Sequence, residues 1–200
     1  LIALGGREFL SSKEVAQRAD IIITMLPDTP DVEKVLFGEH GIIEGLGLGS
    51  GQVKTIVDMS SISPLETRKF AAHINALGHD YVDAPVSGGD VGAQNAALTI
   101  MVGTSVAVFE KVRPILGLLG KNVMHVGENG AGQVCKIANQ IIVSSAIEAV
   151  AEALVFVSKA GVDPDKVRRA LLGGFAASRV LEVHGERMIN RCFEPGFRIE

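Results

Sequence analysis

Lys136 stands in Gly130-Ala131-Gly132-Gln133-Val134-Cys135-Lys136-Ile137-Ala138-Asn139-Gln140, at the head of a long run with helical periodicity. Asn139 and Gln140, three and four residues on, share its face of the helix. Well upstream lies a second glycine-rich segment, Asp83-Ala84-Pro85-Val86-Ser87-Gly88-Gly89. A cationic group on a rigid helix, facing a turn of backbone N–H groups, can bind a small anionic carbonyl compound and hand it a proton. The lysine's neighbours Val134, Cys135, Ile137 and Ala138 are apolar or small, and its helical partners are amides. A carboxylate there would neutralise the ammonium; amides orient it or bind substrate and leave it free to donate. The bland alternative is a solvated lysine on a helix surface. Ser87, Gly88 and Gly89 likewise read either as an anion-binding nest or as an ordinary turn with positive-φ glycines.

These groups need elements to hold them. Ser11-Ser12-Lys13-Glu14 fits a capping box and opens a short helix through Ala19. Ile21 to Leu26 is apolar except for Thr24, as in a strand buried on both faces, and it ends at Pro27. Thr29 is expected to cap a helix with Pro30 at its first position, running to about Phe37. A strand follows over Lys54 to Met59, then a second capping box, Ser63-Pro64-Leu65-Glu66, for a helix to about Leu77 with Phe70 and Ile74 on its buried side. Tyr81 and Val82 lead a short strand into Asp83. Further strands are expected over Ala97 to Val102 and Asn122 to Val126, with Phe109, Val112, Ile115, Leu116 and Leu119 marking the helix between them. Alternating strands and helices predict an α/β fold with a mainly parallel sheet.

After Gly132 the pattern changes. Cys135 to Lys159 contains neither proline nor glycine and reads as one helix from about Gln133. Helices from Asp163-Pro164 to Leu172 and from Ser178 to about Ile189 complete an all-helical part, with the boundary placed near residue 130. The stripe Ile137, Ile141, Ile142, Ala146, Val150 and Leu154 suits either a core or a homo-oligomer contact.

Composition narrows the field. The chain has 200 residues, 47% of them apolar, and a mean hydropathy of +0.31, which favours a packed core over disorder. A formal charge of -4 without charge blocks gives no nucleic-acid footprint. Cys135 and Cys192 read as free thiols in a reducing, cytoplasmic compartment. The five histidines, His40, His73, His79, His125 and His184, lack metal-ligand spacing and read as surface or cap residues. No run reaches the ~18 apolar residues of a membrane span. Gly45 to Gly51 alternates glycine but lacks the third position of G-x-G-x-x-G and precedes a strand, so it reads as a loop. Met25-Leu26-Pro27 and Asp58-Met59-Ser60-Ser61 end strands, where doubly wound sheets bind ligands. They can line a nucleotide cleft, or Asp58 can serve as a turn acceptor and Ser60 as a cap.

Together, Ile22 to Pro27, Thr55 to Pro64, Asp83 to Gly89, Leu98 to Gly103 and Gly130 to Gln140 resemble the β-hydroxyacid dehydrogenase family. Its members include 3-hydroxyisobutyrate dehydrogenases and tartronate semialdehyde reductases. The reductases are the more similar, through Ala170 to Ala176 and Pro195 to Ile199. The resemblance implies a partial Rossmann-type NAD(P)-binding domain over residues 1–130 and a partial helical substrate and dimerisation domain over 131–200. It implies Lys136 as the catalytic lysine, with Ser87, Gly88, Gly89, Asn139 and Gln140 around the substrate. Met25, Leu26 and Pro27 would flank the adenosine side of NAD or NADP, and Ser60 the nicotinamide side. The reaction implied is hydride transfer from NAD(P)H to tartronate semialdehyde, giving D-glycerate. Alternatives are oxidation of 3-hydroxyisobutyrate or a related hydroxyacid, and a non-catalytic scaffold.

The chain departs from the family's pattern at its ends, which both read as cut. The usual opening strand with its glycine-rich turn is not among these residues, nor is the family's later lysine-containing helical segment. Asn95-Ala96-Ala97, Gly103-Thr104-Ser105 and Ser144-Ser145-Ala146 also differ from the usual residues, without removing a named catalytic group. These 200 residues alone are therefore expected to bind NAD(P) poorly and turn over little. Isothermal titration with NADH checks this, and micromolar binding would contradict it.

Overall fold

The computed structural model describes residues 2–47 and 51–194. The chain divides into two compact units, Leu1–Ile137 and Ala138–Glu200.

In the first unit, β1 (Ile21–Thr24), β2 (Thr55–Asp58) and β3 (Asp80–Asp83) pair in parallel. The strand β5 (Thr99–Gly103) then pairs antiparallel with β3 and with the two-residue strand β4 (Val86–Ser87), and in parallel with β6 (Asn122–Gly127). The sheet is thus mixed, with mostly parallel strands. The antiparallel seam has a simple cause. A parallel return needs a crossover of about a dozen or more residues with a helix. Between β4 and β5 lies only α4 (Gly89–Gln94), a six-residue helix. Asp83 pairs with Gly103, Val86 with Ile100 and Ser87 with Thr99, so β3 and β4 run along β5 in one unbroken register.

Two cores flank the sheet. One joins Val32 and Leu36 of α2 (Thr29–Phe37) and Phe70 and Ile74 of α3 (Pro64–Ala76) to Ile22 and Ile56. The other joins Phe109, Val112 and Leu116 of α5 (Val106–Leu116) to Val57, Val82, Ile100 and Val102. The first helix, α1 (Ser12–Arg18), is capped by the Ser11 hydroxyl, and Ser63 caps α3 as its sequence predicts. At α2 the cap is Asp28, not Thr29: its carboxylate accepts the Thr29 N–H at 2.6 Å. The Thr29 hydroxyl instead accepts the Ser63 N–H at 3.1 Å, tying α2 to the loop after β2. Of the expected Gly45–Gly51 loop, Gly45 ends a 3₁₀ turn and residues 48–50 lie outside the described residues.

The helix α6 (Ala131–Lys159) begins in the first unit and continues through the second. Its most apolar 18-residue stretch has a mean hydropathy of 1.9, so by length and composition it is able to cross a membrane. No uninterrupted apolar run underlies this average, since Asn139, Gln140, Ser144, Ser145, Glu148 and Glu152 punctuate the helix. Core helices pass the same test. In the second unit α7 (Pro164–Leu171) is capped by Asp163 and α8 (Arg179–Ile189) by Ser178. Arg168 of α7 donates to the Glu182 carbonyl of α8 at 3.1 Å. Leu154 and Leu181 are buried here, whereas Ile141, Ile142 and Phe156 on α6 are exposed.

Candidate active site

The parallel strands β1, β2 and β3 end together at Thr24, Asp58 and Asp83, and the chemistry of the first unit gathers there. Asp58 is fully buried. Its Oδ1 accepts the Thr24 hydroxyl at 2.9 Å and the Ser60 N–H at 3.1 Å, and its Oδ2 accepts the Tyr81 hydroxyl at 3.1 Å. One carboxylate thereby joins side chains of β1 and β3 to the end of β2 and turns the chain after it. Burial first, and the Asp58 charge second, push the Tyr81 phenol well above its ordinary value, so it stays a donor.

The segment after β2 is held from two sides. The Ser60 hydroxyl accepts the Leu26 N–H at 2.9 Å. Gln133, 1% exposed, donates through Nε2 to the Ser60 carbonyl at 2.8 Å and accepts the Ile62 N–H at 3.1 Å through Oε1. Both ends of this amide are used, which is what a buried glutamine requires. Ser60 is itself buried, and the helix cap nearby is Ser63. Met25 and Pro27, just past β1, are exposed.

Asp83, also buried, receives the first turn of α6. Its Oδ1 accepts the Gly130 N–H at 2.7 Å and its Oδ2 the Gln133 N–H at 3.1 Å. A helix start leaves N–H groups without intrahelical partners, and a carboxylate there also meets the positive end of the helix dipole. Contact is so close that a Cβ on Gly132 would lie 2.4 Å from the Met101 carbonyl oxygen, and one on Gly103 would lie 2.6 Å from Asp83 Oδ1. Burial pushes the Asp83 carboxyl up to about 6, while the N–H groups of Gly130 and Gln133 act in the opposite direction.

From this anchored turn Lys136 reaches back. Its Nζ donates to the Val86 carbonyl at 2.8 Å. The alternation of a strand explains why that carbonyl is available. The Met101 N–H binds the Pro85 carbonyl, so Pro85 faces β5 and Val86 faces the other way. Lys136 is half-buried, and burial alone lowers its pKa from the ordinary 10.5; no neighbouring charge contributes. Ser87 is half-buried in β4, and Gly88 and Gly89 follow it exposed, with φ of +137° and +60°. The lysine and the Ser-Gly-Gly turn predicted from sequence are therefore adjacent. Asn139 and Gln140 open the second unit, where Asn139 donates to Gln140 Oε1 at 2.9 Å.

Two features were not read from sequence. Gln133 was passed over, although a glutamine among Ala131, Gly132, Val134 and Cys135 signals a buried polar bridge. His79, expected as a surface or cap residue, is buried, and its Nδ1 accepts the Lys54 N–H at 3.2 Å at the start of the strand region. His125 is half-buried, stacked on Phe109, with Nε2 2.7 Å from the Thr104 carbonyl.

Residues 1–127 match the family model described as the NAD binding domain of 6-phosphogluconate dehydrogenase. Residues 130–200 match that described as the NAD-binding of NADP-dependent 3-hydroxyisobutyrate dehydrogenase. The chain is 60% identical over 199 residues to 2-hydroxy-3-oxopropionate reductase of Escherichia coli (strain K12), covering 100% of itself and 67% of that protein. The chain belongs to the β-hydroxyacid dehydrogenase family. It is a family of NAD(P)-dependent oxidoreductases, and NAD(P) is the cofactor. A second relative is 2-(hydroxymethyl)glutarate dehydrogenase of Eubacterium barkeri, 40% identical over 100% of this chain and 65% of its own length. Among solved structures, 3-hydroxyisobutyrate dehydrogenase of Mycobacterium tuberculosis with L-serine has a TM-score of 0.80 at 29% identity, covering 94% of this chain and 65% of that one. The chain thus spans about two thirds of the length of the relatives it matches.

Asp83 holds its proton more tightly folded than unfolded, where its ordinary value is 3.8. Its stabilising contribution is complete below that value and is lost as pH rises through about 6. His79 has the opposite sign: burial, with Lys54 next, lowers its pKa, so its contribution is complete above 6.5 and is lost as pH falls. The expected outcome is that the stability difference between wild type and Asp83→Asn shrinks, by on the order of 2 kcal/mol, from about pH 4 to about pH 7.5. Urea unfolding at the two pH values measures it.

Proposed function

We propose that the protein reduces tartronate semialdehyde to D-glycerate, with Lys136 as the proton donor. The observation that carries this reading is the 2.8 Å contact from Lys136 Nζ to the Val86 carbonyl, which keeps the ammonium beside Ser87, Gly88 and Gly89. An ammonium has three protons, so one held by Val86 leaves others for a reacting oxygen. Its charge also stabilises that oxygen as it gains negative character, an effect that grows as water is excluded. Partial burial lowers its hold on the proton, which makes it a better acid toward an alkoxide.

On this reading Ser87, Gly88 and Gly89 take the carboxylate end of the substrate by hydroxyl and backbone N–H groups. Asn139 and Gln140 are assigned to the substrate by the family resemblance. The residues fit a nicotinamide cofactor on its own terms: Met25 and Pro27 lie exposed past the carboxyl end of β1, where doubly wound sheets receive nucleotides. Leu26 between them packs partly against the core and is assigned to the cofactor by the family resemblance. Because the Ser60 hydroxyl is occupied by the Leu26 N–H, Ser60 contributes by shaping the segment after β2. When bound, the cofactor supplies the hydride. Ile141, Ile142 and Phe156 are exposed, and a homo-oligomer contact or packing within a longer chain would each cover them.

The 60% identity to a 2-hydroxy-3-oxopropionate reductase favours this substrate over 3-hydroxyisobutyrate. In the complete enzyme, kcat/KM is expected to be at least about tenfold higher for tartronate semialdehyde, a difference of ~1.4 kcal/mol in transition-state binding. The reverse ranking would overturn the substrate assignment. Lys136→Ala is expected to lower kcat by about two to four orders of magnitude while cofactor affinity stays unchanged. Steady-state kinetics with NAD(P)H titration reads both, and unchanged turnover would remove the lysine from the chemistry.

A further inference from the structure

Lys136 and the carbonyl it meets belong to segments far apart in sequence, yet both hang from one side chain. Val86 lies three residues after Asp83 along the chain. Lys136 lies three residues after Gln133, whose N–H the Asp83 carboxylate holds at 3.1 Å. The same carboxylate holds the Gly130 N–H at 2.7 Å. No side chain separates the helix from this anchor, because Gly103 and Gly132 leave only backbone there: a Cβ on Gly132 would lie 2.8 Å from both the Asp83 carbonyl oxygen and Oδ2. We propose that Asp83 is the positioning residue for Lys136, fixing the first turn of α6 and the Val86 turn to one point so that the ammonium is aimed at the turn.

Its consequence for turnover rests on the reading of Lys136 as proton donor; the positioning itself does not. The geometry demands an aspartate. An asparagine would turn an NH₂ toward Gly130 or Gln133, setting donor against donor. A glutamate is one methylene longer, and the crowding at Gly103 and Gly132 leaves no space for it. Gln133 adds a second tie, from the same turn to Ser60 and Ile62, but it orients the helix toward β2, not toward Val86.

The test uses the 200-residue chain labelled with ¹³C at the lysine ε-carbon, with the Lys136 resonance assigned by Lys136→Arg. In wild type, Lys136 is expected to titrate below the other lysines. In Asp83→Asn its midpoint is expected to move toward that of the exposed lysines as the contact with Val86 is lost. The Gly130 and Gln133 N–H groups should also exchange about tenfold faster, with cooperative melting retained. Faster exchange with an unchanged Lys136 titration would make Asp83 a helix cap only and overturn the proposal. Asp83→Ser, which keeps an acceptor and opposes no donor, replaces the asparagine variant if that one does not fold. Should neither variant fold, the wild-type chain decides: Lys136 titrating among the exposed lysines, or unprotected N–H groups at Gly130 and Gln133, overturns it. No substrate enters these measurements, so a wrong substrate assignment leaves the outcome intact.

Discussion

A buried carboxylate at the start of a 29-residue helix is the interaction on which the first unit depends. Asp83 sits where β3 leaves β2 and continues along β5. At that point the sheet needs an acceptor for the orphan N–H groups of α6, and the helix needs something rigid to start from. Burying an ionised group costs several kcal/mol unless hydrogen bonds and favourable dipoles offset it. Here two backbone N–H groups and the helix N-terminus do so, yet desolvation still dominates and raises the carboxyl. The glycines at 103 and 132 follow from this arrangement, because any side chain would push the helix off the carboxylate.

Asp58 repeats the device one strand away, with side chains in place of a helix. Its oxygens collect Thr24, Ser60 and Tyr81, so β1, β2 and β3 are tied to one another through one side chain. Gln133 then joins this group to α6. The result is a continuous polar layer under the carboxyl ends of the strands, with its members buried and satisfied. Met25, Pro27, Ser61, Gly88 and Gly89, in the segments that follow these strands, are exposed. On the proposed reading, a fully hydrogen-bonded polar layer beneath exposed backbone suits recognition of a ligand, because its own groups are already paired.

Most of the fold was legible because it depends on local rules. Capping boxes at Ser11 and Ser63 satisfy their own helix N–H groups, and buried positions such as Phe70 and Ile74 follow helical spacing. Where two residues competed for one task, the sequence was ambiguous. Asp28 and Thr29 can both cap, and the choice was made by Ser63, which needed the Thr29 hydroxyl. The antiparallel return of β5 was missed for a different reason: alternating strands and helices read as parallel crossovers, and the short connection from β4 to β5 was not weighed against that pattern. The candidate site was half legible. Lys136 and the Ser87-Gly88-Gly89 turn stood out as candidates by type and spacing, and the fold places them side by side. Asp83, Gln133 and His79 act through burial, and burial of a polar residue is decided by partners distant in the chain.

On the proposed reading of Lys136 as proton donor, its surroundings explain how one side chain can be both held and reactive. An ammonium paired with a carboxylate would be well fixed, but the pair would raise its pKa and make it a poorer acid. An ammonium left in water would donate readily, yet it would wander among rotamers. A neutral carbonyl such as that of Val86 gives direction through a single N–H while adding no opposing charge, and burial weakens the hold on the proton. Directional restraint without neutralisation requires that the restraint come from elsewhere, namely from a helix that cannot tilt. That is why the strongest charge near the lysine's helix, Asp83, is spent on backbone N–H groups three and six residues before it and not on the ammonium itself.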